Sequence, residues 1–239
     1  MSESATAKSV CSSVALALVG TLFFTLQSVP RSEAARSLSE PVSGPARVID
    51  GDTIDVGSVR VRLEGIDAPE SGQSCGQPGG GSWNCGSAAA TALEKMIGSQ
   101  TVDCTPSGTD KYGRTLGLCR AGAIDLNSEM VRQGFAWAFV KYSTLFVAVE
   151  AEARATAIGV WQGEADPPWV FRERRWTSAV PDAPEGCAIK GNVSNKGHIY
   201  HLPWSPWYNR VKVDIGRGER WFCSEADALA AGWRPAMTH

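Results

Sequence analysis

Residues 47–70 read RVIDGDTIDVGSVRVRLEGIDAPE, and the reading of this stretch decides the fold. Apolar residues fall at every second position in ARVID (46–50), TIDV (53–56) and VRVRLEGI (59–66), the period of a strand with one buried face. Asp50-Gly51 and Val56-Gly57-Ser58 supply turn chemistry between the runs, so a three-stranded meander is predicted. In the third run Val59, Val61 and Leu63 point one way, which sends Arg60, Arg62 and Glu64 the other way. A solvated outer face accounts for Arg60 and Glu64.

Arg62 calls for more. Asp52 follows the first turn, and Asp67 and Glu70 close the third run where Pro69 bends the backbone away. Antiparallel pairing can bring Asp52, Arg62, Asp67 and Glu70 to one rim. Two carboxylates and a carbonyl facing one point are hard oxygen ligands of the kind Ca2+ takes, and an arginine beside them suits a phosphate. Acidic residues at turns serve turn chemistry too, so this spacing alone does not make a metal site.

Working outward, the glycine-rich ESGQSCGQPGGGSWNCG (70–86) is a loop, and SAAATALEKMIG (87–98) is a helix. Ala89, Leu93, Met96 and Ile97 share its inner face, with Ser87 as N-cap and Gly98 as stop. QTVDC (100–104) and RTLGLCRA (114–121) are two further strands, joined by TPSGTDKYG. DLNSEMVRQG (125–134) is a second helix capped by Asp125 and closed at Gly134. Phe146, Val149, Ala153, Ala157 and Val160 carry a helical period through residues 144–161. The order βββαββαα, joined by short turns, predicts a mainly β fold with α: a small five-stranded Greek-key barrel with three helices. Residues 163–186, rich in proline and mixed in charge, are expected to be the last contacts of this domain followed by a linker (166–186). A small α+β unit fills 187–237, with a helix opened by Ser224.

The N-terminus reads as a secretory signal peptide. Residues 9–29 are uncharged, and small residues at Ser32 and Ala34 place the expected cleavage after Ala34, giving a secreted or periplasmic protein. An uncleaved envelope anchor is the alternative. Beyond that segment stand Cys75, Cys85, Cys104, Cys119, Cys187 and Cys223, an even set that in an exported chain implies disulfides. Their order favours 75 with 85, 104 with 119 and 187 with 223, although sequence alone does not fix connectivity. Net charge is only −2, so no broad basic field draws this chain to polyanions; local arginines and a bound cation have to do it.

The run VIDGDTIDV…VRVRLEGIDAPE, followed by DKYGR (110–114) and LNSEMVRQGFA (126–136), resembles the staphylococcal nuclease (thermonuclease) family over about residues 45–165. The resemblance implies an OB-fold carrying a Ca2+-dependent phosphodiesterase that cuts DNA and RNA to 3′-phosphate and 5′-hydroxyl ends. By position it implies Asp52 and Asp67 as calcium carboxylates and the Ala68 carbonyl as a third protein ligand. Ala68 departs from the threonine frequent in the family. Glu70 matches the carboxylate that positions or deprotonates the attacking water, Arg62 and Arg114 the guanidinium groups on the scissile phosphate. Lys111 and Tyr112 match contacts to a terminal phosphate of the nucleotide. Tyr142 is read as core rather than as a base-stacking ring.

In the C-terminal unit Cys187, His198, His201 and Cys223 allow a zinc set, but a disulfide is preferred in an exported chain. IKGNVSNKGHIYHLPWSPWYNRVKVD…GERWFCSEADALAAGWRPA resembles the small sunset domain of some exported bacterial nucleases, which names no ligand. Trp204, Trp207, Tyr208, Trp221 and Trp233 serve either a binding face or a miniature core. The expectation is a monomeric, secreted, calcium-dependent endonuclease with no stable protein partner. A non-catalytic OB-fold module that binds nucleic acid is the alternative.

Overall fold

The computed structural model describes residues 40–236, so the expected signal segment and its expected cleavage site lie outside the described residues. The strands are β1 (Val42–Gly44), β2 (Ala46–Val48), β3 (Thr53–Val56), β4 (Val59–Leu63), β5 (Ile66–Asp67), β6 (Cys75–Gly76), β7 (Ser82–Trp83), β8 (Val102–Thr109), β9 (Thr115–Ala121), β10 (Ile124–Asp125) and β11 (Trp137–Ala138). Beyond them come β12 (Ile189–Ser194), β13 (Gly197–His201), β14 (Arg220–Phe222) and β15 (Arg234–Pro235). The helices are α1 (Cys85–Ile97), α2 (Leu126–Arg132), α3 (Val147–Ala155), α4 (Pro168–Ala179) and α5 (Glu225–Ala230).

The meander forms as its alternation dictates: β2, β3 and β4 pair antiparallel, and β4 then lies parallel to β9 in a sheet ordered β1-β8-β9-β4-β3-β2. This curled mixed sheet, with helices packed on it, is the mainly β OB-type architecture. Its inner face carries Ile54, Val61, Leu63, Val102 and Ala121, all buried against Ala89 and Leu93 of α1 and Leu126 and Met130 of α2. Cys104 and Cys119 face each other across β8 and β9 and are bonded, as are Cys75 with Cys85 and Cys187 with Cys223.

Three details differ from the sequence reading. Asn84, not Ser87, caps α1: its side chain accepts the Ser87 N–H, one of the donors a helix start leaves open. The third helical run stops at Ala155, and residues 159–162 continue as a 3-10 turn. The segment expected to be a linker contains α4, a helix of 12 residues with Pro168 at its start, where a missing N–H costs nothing.

The C-terminal unit has its own sheet, β14-β12-β13-β15, over a small core of Ile189, Tyr200, Phe222, Ala228 and Trp233. Trp176 of α4 packs against this core and against a second cluster of Ala179, Ala188 and Tyr208. Among the described residues no helix is long and apolar enough to cross a membrane.

Candidate active site

Register places the rim charges. Arg62 on β4 lies opposite Thr53, so its guanidinium stands beside Asp52. Asp67 on β5 lies opposite Trp137 of β11 and is fully buried. Arg62 spans the two carboxylates: Nη1 donates to Asp52 Oδ1 at 2.5 Å and Nη2 to Asp67 Oδ1 at 2.9 Å. The other Asp52 oxygen accepts the Ala68 N–H at 2.9 Å. Burial raises the Asp52 carboxyl pKa, and Arg62 opposes that shift. The same carboxylates hold the Arg62 guanidinium charged against its own burial.

Two glycines make the close packing behind these groups possible. A Cβ on Gly51 would lie 2.7 Å from the Ala68 Cβ and 2.8 Å from that of Ala89, so the first turn, the 68–70 segment and α1 meet where only small residues fit. A Cβ on Gly86 would lie 1.8 Å from the Glu70 carbonyl oxygen. The first turn of α1 therefore rests directly on the backbone that presents Glu70. Buried Gln73 completes the support, accepting the Glu70 N–H and donating to the Asp166 carbonyl at 2.7 Å.

Parallel pairing of β4 with β9 sets Val61 against Thr115, which brings Arg114 to the same end of the sheet as Arg62. Asp110 organises the loop before it, accepting the backbone N–H groups of Tyr112 and Arg114 and the Arg114 Nε at 2.7 Å. The Lys111 ammonium and the Arg114 guanidinium lie 4.8 and 5.4 Å from the Tyr112 ring centre. Asp52, Arg62, Ala68, Glu70, Lys111, Tyr112 and Arg114 all line one cavity of about 1200 Å³. Tyr142 lines it too and is 70% exposed, so it is a rim residue and not core.

The sequence reading missed the residues that close this cavity. Arg172 of α4 grips both oxygens of Asp67, with Nη1 at 3.0 Å and Nη2 at 2.7 Å, and its Nη1 also donates to Glu70 Oε1 at 2.7 Å. Tyr200, Trp204 and Glu225 of the C-terminal unit form a further wall. The Tyr200 hydroxyl donates to Glu225 at 3.0 Å. A helix start at Pro168, with Phe171 and Ala179 eight positions apart on one face, was the available signal for α4. Nothing in the spacing says which carboxylate its arginines meet. Burial pushes the Glu70 pKa from 4.5 up to about 8, with Arg172 pulling it back only partly.

Among the described residues no group of three or more His, Cys, Asp or Glu side chains is arranged to hold a metal ion. The donor set at the rim is of another kind: Asp52 and Asp67 both accept from Arg62, Asp67 also accepts from Arg172, and Asp52 accepts the Ala68 N–H. All-oxygen chemistry of this sort fits a hard divalent cation. The zinc alternative falls away, since Cys187 and Cys223 are joined to each other, His198 stacks on Trp233 and His201 Nε2 meets Asn192.

Comparison with known proteins agrees with the geometry. Residues 60–163 match the family described as staphylococcal nuclease homologue. Residues 176–235 match ArfC, which says nothing of a sunset domain. The succinoglycan biosynthesis protein ExoI of Rhizobium meliloti (strain 1021) is 35% identical over 134 residues, covering 54% of this chain and 69% of that protein. An uncharacterized endonuclease of Escherichia coli O157:H7 is 37% identical over 138 residues, 54% of this chain and 83% of its own. A micrococcal nuclease of Shigella flexneri is 37% identical over 144 residues, 53% and 77% of the two chains. These nuclease matches do not favour a non-catalytic binding module. With the curled sheet, the rim charges and these matches in agreement, the chain belongs to the staphylococcal nuclease homologue family and is a nuclease hydrolase.

Proposed function

We propose that this nuclease is an exported, monomeric, Ca2+-dependent endonuclease that leaves 3′-phosphate and 5′-hydroxyl ends. In this reading a nuclease domain (45–165) is joined through 166–186 to an accessory unit (187–237). The observation that carries the proposal is the meeting of Asp52 and Asp67 on Arg62, with Glu70 and Arg114 on the same cavity.

Asp52, Asp67 and the Ala68 carbonyl would hold the cation, which supplies positive charge to a phosphodiester gaining negative charge as it is attacked. Arg62 commits one N–H of each terminal nitrogen to a carboxylate and retains others for phosphate oxygens. Arg114, steadied by Asp110, provides the second guanidinium. Glu70 takes the proton of the attacking water, for which it must be ionised; Arg172 favours that form against the burial that pushes its pKa up to about 8. Lys111 and Tyr112 line the same cavity and would contact a terminal phosphate of the nucleotide.

The test is a digestion of DNA and of RNA with added Ca2+ and with chelator, followed by end-group analysis. Cleavage that needs Ca2+ and yields 3′-phosphates is expected. Activity indifferent to chelation, or 5′-phosphate products, would overturn the reading.

A further inference from the structure

Arg172 lies outside the segment matched to the nuclease family, on a helix that the C-terminal unit anchors. It makes a two-pronged pair with Asp67 and a third bond to Glu70, and its side chain is 23% exposed. Together with Arg62 and the Ala68 N–H, it leaves every carboxylate oxygen of Asp52 and Asp67 accepting at least one N–H. A cation that takes Asp67 as a ligand has to share or displace a guanidinium, and two positive groups on one carboxylate repel.

We propose that Arg172 is a positioning residue of the nuclease site that competes with the divalent cation for Asp67 and tethers Glu70 until the cation binds. This rests on the assignment of Asp52 and Asp67 as the cation's ligands. Its place is set from behind. Trp176, one turn further along α4, packs into both C-terminal clusters, and Arg175 Nε donates to the Pro203 carbonyl at 3.1 Å. The C-terminal unit thereby sets how firmly the guanidinium is held in the site, and cation loading works against that hold.

The experiment is calorimetric titration of cation-free protein with Ca2+ at pH 8, for the wild type, Arg172→Gln, Arg172→Lys and Asp52→Asn, with thermal midpoints measured alongside. Removing two charge-assisted contacts to Asp67 should tighten Ca2+ binding roughly tenfold or more in Arg172→Gln, and the midpoint should rise further on adding Ca2+ than in the wild type. Arg172→Lys, a point charge without the planar fork, should fall between. Asp52→Asn should lose binding. Unchanged or weaker Ca2+ affinity in Arg172→Gln, with Asp52→Asn still abolishing it, overturns the role of Arg172 and leaves the ligand assignment standing. Affinity indifferent to Asp52→Asn, or absent in every protein, overturns the ligand assignment and the proposal with it. Should Arg172→Gln fail to fold, tighter binding in Arg172→Lys supports the competition, and equal or weaker binding refutes it.

Discussion

The barrel rim and helix α4 reach the same carboxylates by different kinds of construction. Asp52, Arg62 and Asp67 sit within 16 positions of one another, and their meeting follows from strand register. Arg172 arrives from 105 residues beyond Asp67, carried on a helix whose direction is set by packing against a second small core. Charges fixed by register are local and stiff. A charge delivered by packing is only as firmly placed as the contacts behind it, and those can be loosened without touching the barrel.

Substitutions on the two sides should therefore differ in kind. Arg62→Ala or Glu70→Ala is expected to lower kcat by roughly 10³-fold, the scale of losing a preorganised charge partner or base in a water-poor site. Circular dichroism of these variants should stay that of the wild type. Arg172→Gln should spare most of kcat at saturating Ca2+ and change the Ca2+ concentration needed to reach it. Equal losses of kcat from all three substitutions would erase the distinction between rim and helix.

The disulfides sharpen the comparison at the level of stability. Chain-entropy arguments assign about 3 kcal/mol to Cys104–Cys119, which closes 15 residues, and about 4 kcal/mol to Cys187–Cys223, which closes 36. The barrel pair sits inside a large core, whereas the C-terminal pair staples a core of a handful of residues. Replacing Cys187 and Cys223 by serine should unfold the C-terminal unit ahead of the barrel, giving two transitions in a denaturant titration. A single shifted transition would show the two regions to be one cooperative unit.

These asymmetries also explain how much was legible beforehand. The meander, α1, α2 and the gathering of Asp52, Arg62, Asp67 and Glu70 followed from alternation and turn residues, which depend on near neighbours in the chain. Arg172 escaped because mixed charge between prolines looks the same in a linker and in an amphipathic helix, and its partner is chosen by tertiary packing. Tyr142 escaped for a related reason: whether an aromatic before a helix faces core or cleft depends on which face the next helix presents. Asn84 was passed over for Ser87 because both are capping residues, and only the place where the backbone turns helical, just after Asn84, decides which one caps.

A smaller effect separates the cation-free from the loaded protein. Glu70 has a folded pKa of about 8 against its usual 4.5, so the folded state binds its proton more tightly than the unfolded one. Its contribution to stability is complete below about pH 4.5 and is lost as pH rises through 8. The cation-free protein should lose stability across that window, and Glu70→Gln should flatten the decline. Thermal midpoints taken at intervals from pH 5 to 9 measure it. A midpoint that climbs over this range equally in both proteins would place Glu70 in a more solvated setting than its contacts indicate.

The smallest expected effect tests how far local support reaches. Asn84 and Ser224 each cap a helix by accepting a backbone N–H, and alanine at either should cost about 1 kcal/mol. Asn84 starts the helix whose first turn presses on the Glu70 backbone through Gly86, while Ser224 starts α5 in the C-terminal unit. Asn84→Ala should therefore lower kcat several-fold beyond its effect on stability, because fraying of that turn frees the Glu70 segment to wander from its place in the cavity, where the proposed mechanism needs it. Ser224→Ala should lower stability by the same amount and leave kcat unchanged at saturating Ca2+. Equal kcat in the two variants at matched stability would mean that Glu70 is held by its own turn and Gln73 alone, with α1 serving only as core.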